Sequence, residues 1–127
     1  MRILFVLAIT IPLMSFAESK IDAEDSMECE SKNQYQAEIV ECLLAKQGNT
    51  KKPLNLSYGK LAEKLSDNET ILSELEQIQK KWVELRNQQC KLEADLIDRE
   101  ADKYLIEQSC LNYMNKQRTA YFNSIDL

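Results

Sequence analysis

The sequence predicts an all-α protein, a small disulfide-bonded antiparallel bundle of three to four helices. Helix-breaking residues are scarce, because the 127 residues include two glycines and two prolines, while Leu, Glu, Lys and Gln are abundant. Apolar residues recur at intervals of three and four, which places them on one face of a helix, and no alternating strand pattern of useful length is present. Four cysteines complete the prediction, since small exported domains commonly pair their cysteines.

Residues 1–17 have the features of a signal peptide that is removed from the folded protein. Arg2 supplies the positive start, residues 3–14 form an apolar run, and residues 15–17 form a small-x-small cleavage site. A membrane-spanning helix needs about 20 apolar residues, and this run is shorter. The sequence therefore predicts a secreted or periplasmic protein, cut after Ala17, with no membrane association after cleavage.

The mature chain is expected to hold an acidic segment, residues 18–30, and one helical domain, residues 31–127. Without Arg2 the chain carries 15 basic and 21 acidic side chains, a net charge of −6, and residues 18–30 alone account for −5. We expect this segment to be solvated and mobile. A second interpretation is that its carboxylates steer a cationic partner toward the protein, while they repel nucleic acid. The candidate steering residues are Glu18, Asp22, Glu24, Asp25, Glu28 and Glu30.

The four cysteines, Cys29, Cys42, Cys90 and Cys110, predict two disulfides. A zinc site is disfavoured, because the chain has no histidine and no Cys-x-x-Cys pair. Three pairings are open. The preferred one joins Cys90 to Cys110, which lie at similar heights on either side of an expected turn near residues 98–102. Cys29 then pairs with Cys42.

Two helices are expected in the first half of the mature chain. The first runs from about residue 33 to residue 47 and ends at Gly48-Asn49, because both residues tolerate a left-handed backbone. Pro53 is a suitable first residue for the second helix. The inward stripe of that helix is Leu54, Tyr58, Leu61 and Leu65.

The second half predicts two longer helices joined by a short connection. Residues 66–69 have the pattern of a capping box, in which Ser66 and Glu69 satisfy free backbone donors, and two interpretations are open: the start of a new helix or only a kink. A heptad seam follows over nearly 30 residues, and only Gln89 in it is polar. Its members are Ile71, Leu75, Ile78, Trp82, Leu85, Gln89, Leu92 and Leu96. The last helix is expected from about residue 103 to residue 125, antiparallel to the third.

No catalytic constellation stands out, so the sequence predicts a protein that is not an enzyme. Without histidine the usual general base and the usual partner of a nucleophile are missing. Glycine-rich phosphate loops and calcium-loop patterns are absent too. We therefore expect no catalytic residue, no metal and no cofactor.

Gln79, Trp82, Arg86 and Cys90 follow one another at intervals of three and four, which places them on one helix face. Their expected neighbours are an apolar wall for Trp82, an acceptor for Arg86 and another cysteine for Cys90. Candidate acceptors for Arg86 are the carboxylates of Glu38, Glu41 and Glu107. The structural interpretation of this stripe is favoured over a binding role.

The spacing of these residues resembles the N-terminal domain of LprI-type lysozyme inhibitors over about residues 29–122. The elements that match are Cys42, Leu54-Asn55-x2-Tyr58, Gln79-x2-Trp82-x3-Arg86-x3-Cys90, Cys110 and Arg118. Two positions depart from the family pattern. Family members commonly have Asp where Asn87 stands, and many have Gly-Gly-Ser before the fourth cysteine, where this chain has residues 98–102. The connecting turn is therefore expected to be built differently.

The resemblance implies an exported bacterial, mainly helical, disulfide-bonded domain. We interpret the motif residues themselves as structural. The expected function is that of a periplasmic protein-binding module that inhibits a cationic lysozyme by steric occlusion, without chemistry. Two alternatives remain open at this point. One is a structural or accessory protein of the cell envelope, and the other is an immunity protein against a toxin that degrades the cell wall.

Overall fold

The computed structural model describes residues 23–127, and these residues form four helices with no strand. The helices are α1 (Ala23–Lys32), α2 (Gln36–Lys64), α3 (Glu69–Asp95) and α4 (Glu100–Ser124). The all-α prediction is confirmed. The expected signal peptide, residues 1–17, and the first part of the acidic segment lie outside the described residues.

Helix α4 is the centre of the bundle. It packs against α2 on one side and α3 on another, and α1 lies on α2 while also touching α4. The connection after α3 is short, so α3 and α4 run antiparallel. Helices α2 and α4 run in the same direction, because contacts between them advance together along both helices: Leu43 meets Asn112, and Leu61 packs with Phe122.

The apolar core lies at the end of the bundle where α2 and α4 finish. Leu54, Leu61 and Phe122 are buried there, and five partly buried side chains pack around them: Tyr58, Leu65, Leu75, Trp82 and Ile125. The predicted stripe of the second helix therefore does face inward. At the other end a second cluster forms around the disulfide of Cys90 and Cys110, with Leu111 and Met114 against it.

Helix α2 is continuous, so the predicted helix end at Gly48-Asn49 is wrong. Both residues are exposed, and a Cβ atom added at Gly48 would meet nothing within 4 Å. Thr50, the next residue, is buried and bonded to α4. Packing against α4 thus stabilises the helical conformation at Gly48 and Asn49, although both residues have low helix propensity. Pro53 lies inside the helix on an exposed face, where its missing N–H leaves the carbonyl of Asn49 without its helical donor.

The acidic segment is helical from Ala23, and α1 is a helix that the sequence patterns do not predict. Cys29 of α1 is fully buried and joined to Cys42 of α2, with 5.7 Å between their Cα atoms. This disulfide holds α1 on the bundle. Cys90 and Cys110 are also joined, with a Cα–Cα distance of 5.4 Å, so the structure has the preferred pairing and no free cysteine among the described residues.

The start of α3 differs from the expected capping box. Asn68 is the N-cap residue, and its Oδ1 accepts a hydrogen bond from the backbone N–H of Ile71 at 3.1 Å. Asparagine is among the best N-cap residues, so it competes with Ser66 for this position.

The heptad seam of α3 is only half buried. Leu75, Trp82 and Gln89 are partly buried, whereas Ile71, Ile78, Leu85, Leu92 and Leu96 are exposed. The fully buried positions of α3 are Arg86, Cys90 and Ala94. Since α3 has one main neighbour, α4, it buries one face and leaves the edge of the seam in solvent. The heptad pattern therefore extends over more residues than the face of α3 that is buried.

Candidate functional site

The stripe on α3 meets α4 at four successive levels. The Oε1 atom of Gln79 accepts a hydrogen bond from Arg118 at 3.0 Å, and the ring of Trp82 lies 5.2 Å from the guanidinium carbon of Arg118. One turn further, Arg86 donates to Asn115 at 2.7 Å. Cys90 forms the disulfide with Cys110. The spacing therefore places all four side chains on the α4 face, as the sequence predicts.

Arg86 is a buried cation that no carboxylate neutralises. Its side chain is 8% exposed, and no ion pair within residues 27–127 involves it. The expected acceptors Glu38, Glu41 and Glu107 are thus wrong. Nη1 donates to Asn115, and Nε and Nη2 donate to Oδ1 of Asn87 at 3.1 and 2.8 Å. Burial lowers the pKa of Arg86 below its usual range.

Arg118 is surrounded by aromatic rings. Its guanidinium carbon lies 5.2 Å from the centroid of Trp82, 5.1 Å from that of Tyr121 and 4.6 Å from that of Phe122. Arg86 contacts the same indole at 5.4 Å, so two guanidinium groups share Trp82. Burial lowers the pKa of Arg118 as well. Attraction between cation and ring quadrupole replaces the missing carboxylates in this cluster.

A buried polar network, which the sequence does not reveal at first inspection, connects α3 to α2 through α4. Asn115 accepts from Arg86 and donates through Nδ2 to Oγ1 of Thr50 at 3.1 Å. That hydroxyl lies 3.1 Å from Oδ1 of Asn112 and 2.9 Å from the carbonyl of Gln47, and its single proton serves one of the two. Asn112 also donates to the carbonyl of Leu43 at 3.3 Å.

One signal in the sequence could have identified the network. Asn112, Asn115 and Arg118 are spaced by three, so they form a polar line along the inward face of α4. Buried asparagines are stable only when their amides are paired, and here both amides are. Gln79, Trp82 and Arg86 thus lie on the side of α3 that contacts Asn115 and Arg118 of α4.

The other motif residues have unequal environments. Leu54 is buried in the apolar core, and Tyr58 is half-buried with its ring centroid 5.9 Å from that of Phe122. Desolvation, together with the negative charge of Glu76, raises the pKa of Tyr58 above its usual value. Asn55 is exposed on α2 and packs into neither cluster.

The acidic residues of α1 lie at the end of the bundle where α2 begins. Glu28 and Glu30 are exposed there, Glu24 and Asp25 lie in the first turn and a half of α1, and Glu18 and Asp22 lie outside the described residues. Glu28 pairs with Lys32 at 2.5 Å and with Lys46 at 2.6 Å. Hydrogen bonds from these two lysines lower the pKa of Glu28 from 4.5 to about 2. Its charge is therefore shared with lysines of α1 and α2.

The fold and its polar clusters define a class: a small helical domain, stapled by two disulfides, whose buried polar groups hold helices together. Within residues 23–127, no group of acidic or cysteine side chains is arranged to hold a metal ion, and no helix is both long and apolar enough to cross a membrane.

The family model described as lysozyme inhibitor LprI matches residues 26–122. The chain therefore belongs to the LprI family of lysozyme inhibitors. No curated protein and no solved structure shows a significant match to the chain.

Proposed function

We propose that this protein is an exported lysozyme inhibitor that blocks its target by steric occlusion. The match of residues 26–122 to the LprI family carries the proposal. Two observations support export: the amino terminus has the pattern of a cleaved signal, and disulfides are typical of oxidising compartments.

Occlusion requires a body that keeps its shape against a cleft, and the bundle has this property. The disulfide of Cys90 and Cys110 fixes α3 to α4, and that of Cys29 and Cys42 fixes α1 to α2. The network of Arg86, Asn115 and Thr50 joins α3, α4 and α2 between them. A preorganised surface loses little conformational entropy on binding, which favours affinity.

The partner fits the charge of the chain. Residues 18–30 carry six acidic side chains and one lysine, while residues 31–127 are almost neutral. This asymmetry is suited to a cationic lysozyme, which it would draw toward the end of the bundle where α1 lies. Such steering raises the association rate more than it lowers the dissociation rate.

The test measures lysozyme activity and binding rates with the oxidised mature protein. We expect inhibition of cell-wall lysis, with an association rate that falls as salt rises, because charges more than about 8 Å apart are screened at 0.15 M salt. A neutralised variant in which Glu18, Asp22, Glu24 and Asp25 become Gln or Asn should associate more slowly, with little change in dissociation.

The matched control neutralises four exposed acids elsewhere, Glu63, Asp67, Glu84 and Asp126, and therefore changes the net charge equally. Its association rate should stay closer to that of the original protein. Full activity of several lysozyme types in excess oxidised protein would reject the inhibitor proposal. An accessory role in the cell envelope would then take its place.

A further inference from the structure

The outer edge of α3 is an apolar stripe with nothing packed on it among the described residues. We define the α3 stripe as Ile71, Ile78, Leu85, Leu92 and Leu96. These side chains are between 44% and 73% exposed, and the first four follow one another at intervals of seven. At 1.5 Å per residue the stripe is roughly 38 Å long.

The stripe is the unfilled half of a coiled-coil repeat. In such a repeat two apolar positions per heptad face a neighbouring helix. Leu75 and Trp82, at the alternate positions, pack into the apolar core with Phe122 of α4. Because α4 covers only these alternate positions, the repeat leaves the others for a helix that residues 23–127 do not supply.

The surface beside the stripe is concave, with both polar and apolar side chains in its lining. A groove of about 180 Å³ lies between α3 and α4, lined by Trp82, Met114, Gln117, Arg118 and Tyr121. Trp82 lies four residues from Ile78 and three from Leu85, so this groove and the stripe adjoin. A helix that packs along the stripe would therefore contact the stripe itself and the adjoining groove.

We propose that the α3 stripe is the interface of a homodimer, in which the α3 helices of two copies pack against each other. A face with a strict seven-residue repeat matches another face with the same repeat, and a twofold pair of identical helices meets this condition. The inference is independent of lysozyme inhibition, because it concerns how the protein associates with itself.

The size of the stripe is consistent with a dimer. Five aliphatic side chains that are each about half exposed present roughly 500 Å², which is near the upper end of what a stable monomer leaves in water. The polar side chains that border the stripe would bring the contact toward the roughly 800 Å² per partner of an ordinary interface.

The charges around the stripe favour a second copy over a cationic protein. Residues 71–96 carry five acidic side chains and, apart from the buried Arg86, three lysines, so the charges that a second copy would meet there are of mixed sign. Glu74, Lys81 and Asp95 alternate in sign along the solvent side of the stripe, and Lys91 pairs with Asp95 at 2.8 Å. A face built for a cationic enzyme would instead have a predominantly acidic border, as residues 18–30 do.

The experiment measures the oligomeric state of the mature oxidised protein by sedimentation across micromolar to submillimolar concentrations. We expect a reversible dimer. The double variant Ile78→Glu, Leu85→Glu should remain folded, since both side chains are exposed, and should raise the dimer dissociation constant by on the order of a hundredfold. The control, Leu44→Glu with Leu56→Glu, changes two exposed leucines of α2 and should leave the dimer intact.

A charge-complementation experiment distinguishes loss of the interface from damage to the fold. The variant Ile78→Lys, Leu85→Lys should be monomeric alone, as should the Glu variant, but an equimolar mixture of the two should form heterodimers. A monomer at every concentration, or a dimer that the Glu variant leaves unchanged, overturns the proposal. So does a monomeric protein whose stripe variants lose lysozyme inhibition, because the stripe would then be the contact for the enzyme.

Discussion

The identity of residue 87 determines whether the buried charge of Arg86 meets a neutral or a charged acceptor. The guanidinium of Arg86 is buried, and it directs two of its nitrogen atoms at Oδ1 of Asn87. The acceptor of these bonds is thus a neutral amide and not a carboxylate. The buried charge is thus satisfied by dipoles and by the ring of Trp82, at some cost in desolvation.

The substitution Asn87→Asp should therefore stabilise the protein. It places a carboxylate on the geometry that the amide already occupies, and hydrogen bonds between charged groups are about twice as strong as neutral ones. We expect a gain of about 1 kcal/mol in the free energy of unfolding at pH 7, measured by urea denaturation.

The pH dependence provides the check on that gain. Arg86 should lower the pKa of the new carboxyl, so the gain should be present above the usual aspartate pKa and vanish as the carboxyl is protonated in acid. The control Asn87→Gln adds no charge and should not reproduce the gain. An equal effect of both substitutions, or one that persists in strong acid, would contradict this account of Arg86.

Helix α1 is an element held by a few identifiable interactions. It is ten residues long, which is short for an independent helix in water. Its attachment consists mainly of the disulfide between Cys29 and Cys42, the ion pair of Glu28 with Lys46, and packing on α2 and α4. The helix should therefore depend on the disulfide more than α2, α3 or α4 do.

Replacing both Cys29 and Cys42 with serine should release α1 while the rest of the bundle remains. We expect a loss of about 2–4 kcal/mol. Amide hydrogen exchange should rise in residues 23–32 and change little at the buried centre of α4. The paired control, Cys90→Ser with Cys110→Ser, should instead increase exchange where α3 meets α4. Equal exchange throughout the molecule in both variants would show that the bundle opens as one unit.

Helices α2 and α3 also show what local pattern can and cannot predict. The inward stripe of Leu54 and Leu61, and the shared face of Trp82 and Arg86, follow from spacing alone and are found in the structure. The continuity of α2 past Gly48 does not, because it depends on Thr50 meeting two asparagines of a helix some sixty residues later. Exposure of the α3 stripe likewise depends on how many helices surround α3. The periodicity of apolar residues does not predict that number.

At the scale of the whole molecule, charge is concentrated where α1 meets α2. The low pKa of Glu28, about 2 against an ordinary 4.5, means that its ionised form is favoured by folding. Its contribution to stability should be complete above about pH 4.5 and should disappear as the pH falls toward 2. Because the pair is exposed, the contribution should also shrink with salt.

The variant Glu28→Gln should accordingly be less stable than the original protein at neutral pH and equal to it near pH 2. Thermal melting across this range, at low and high salt, measures the difference. Glu63→Gln, a change at an exposed acid of α2, is the control and should show a weaker dependence on pH. A difference for Glu28→Gln that stays constant down to pH 2 would exclude the ion pairs as its cause.

The central position of α4 has a consequence for how the protein acquires its structure during synthesis. Helix α4 is the last helix in the chain, and the other three pack against it. The faces of α1, α2 and α3 that contact α4 therefore stay unburied until α4 has been made. Cys29 and Cys42 both precede α3 and can meet early, whereas Cys90 must wait for Cys110. The nascent chain should therefore stay extended and loosely structured through most of its length, which is the state in which a polypeptide can be threaded through a narrow channel. Assembly of the bundle is then a late and nearly simultaneous event.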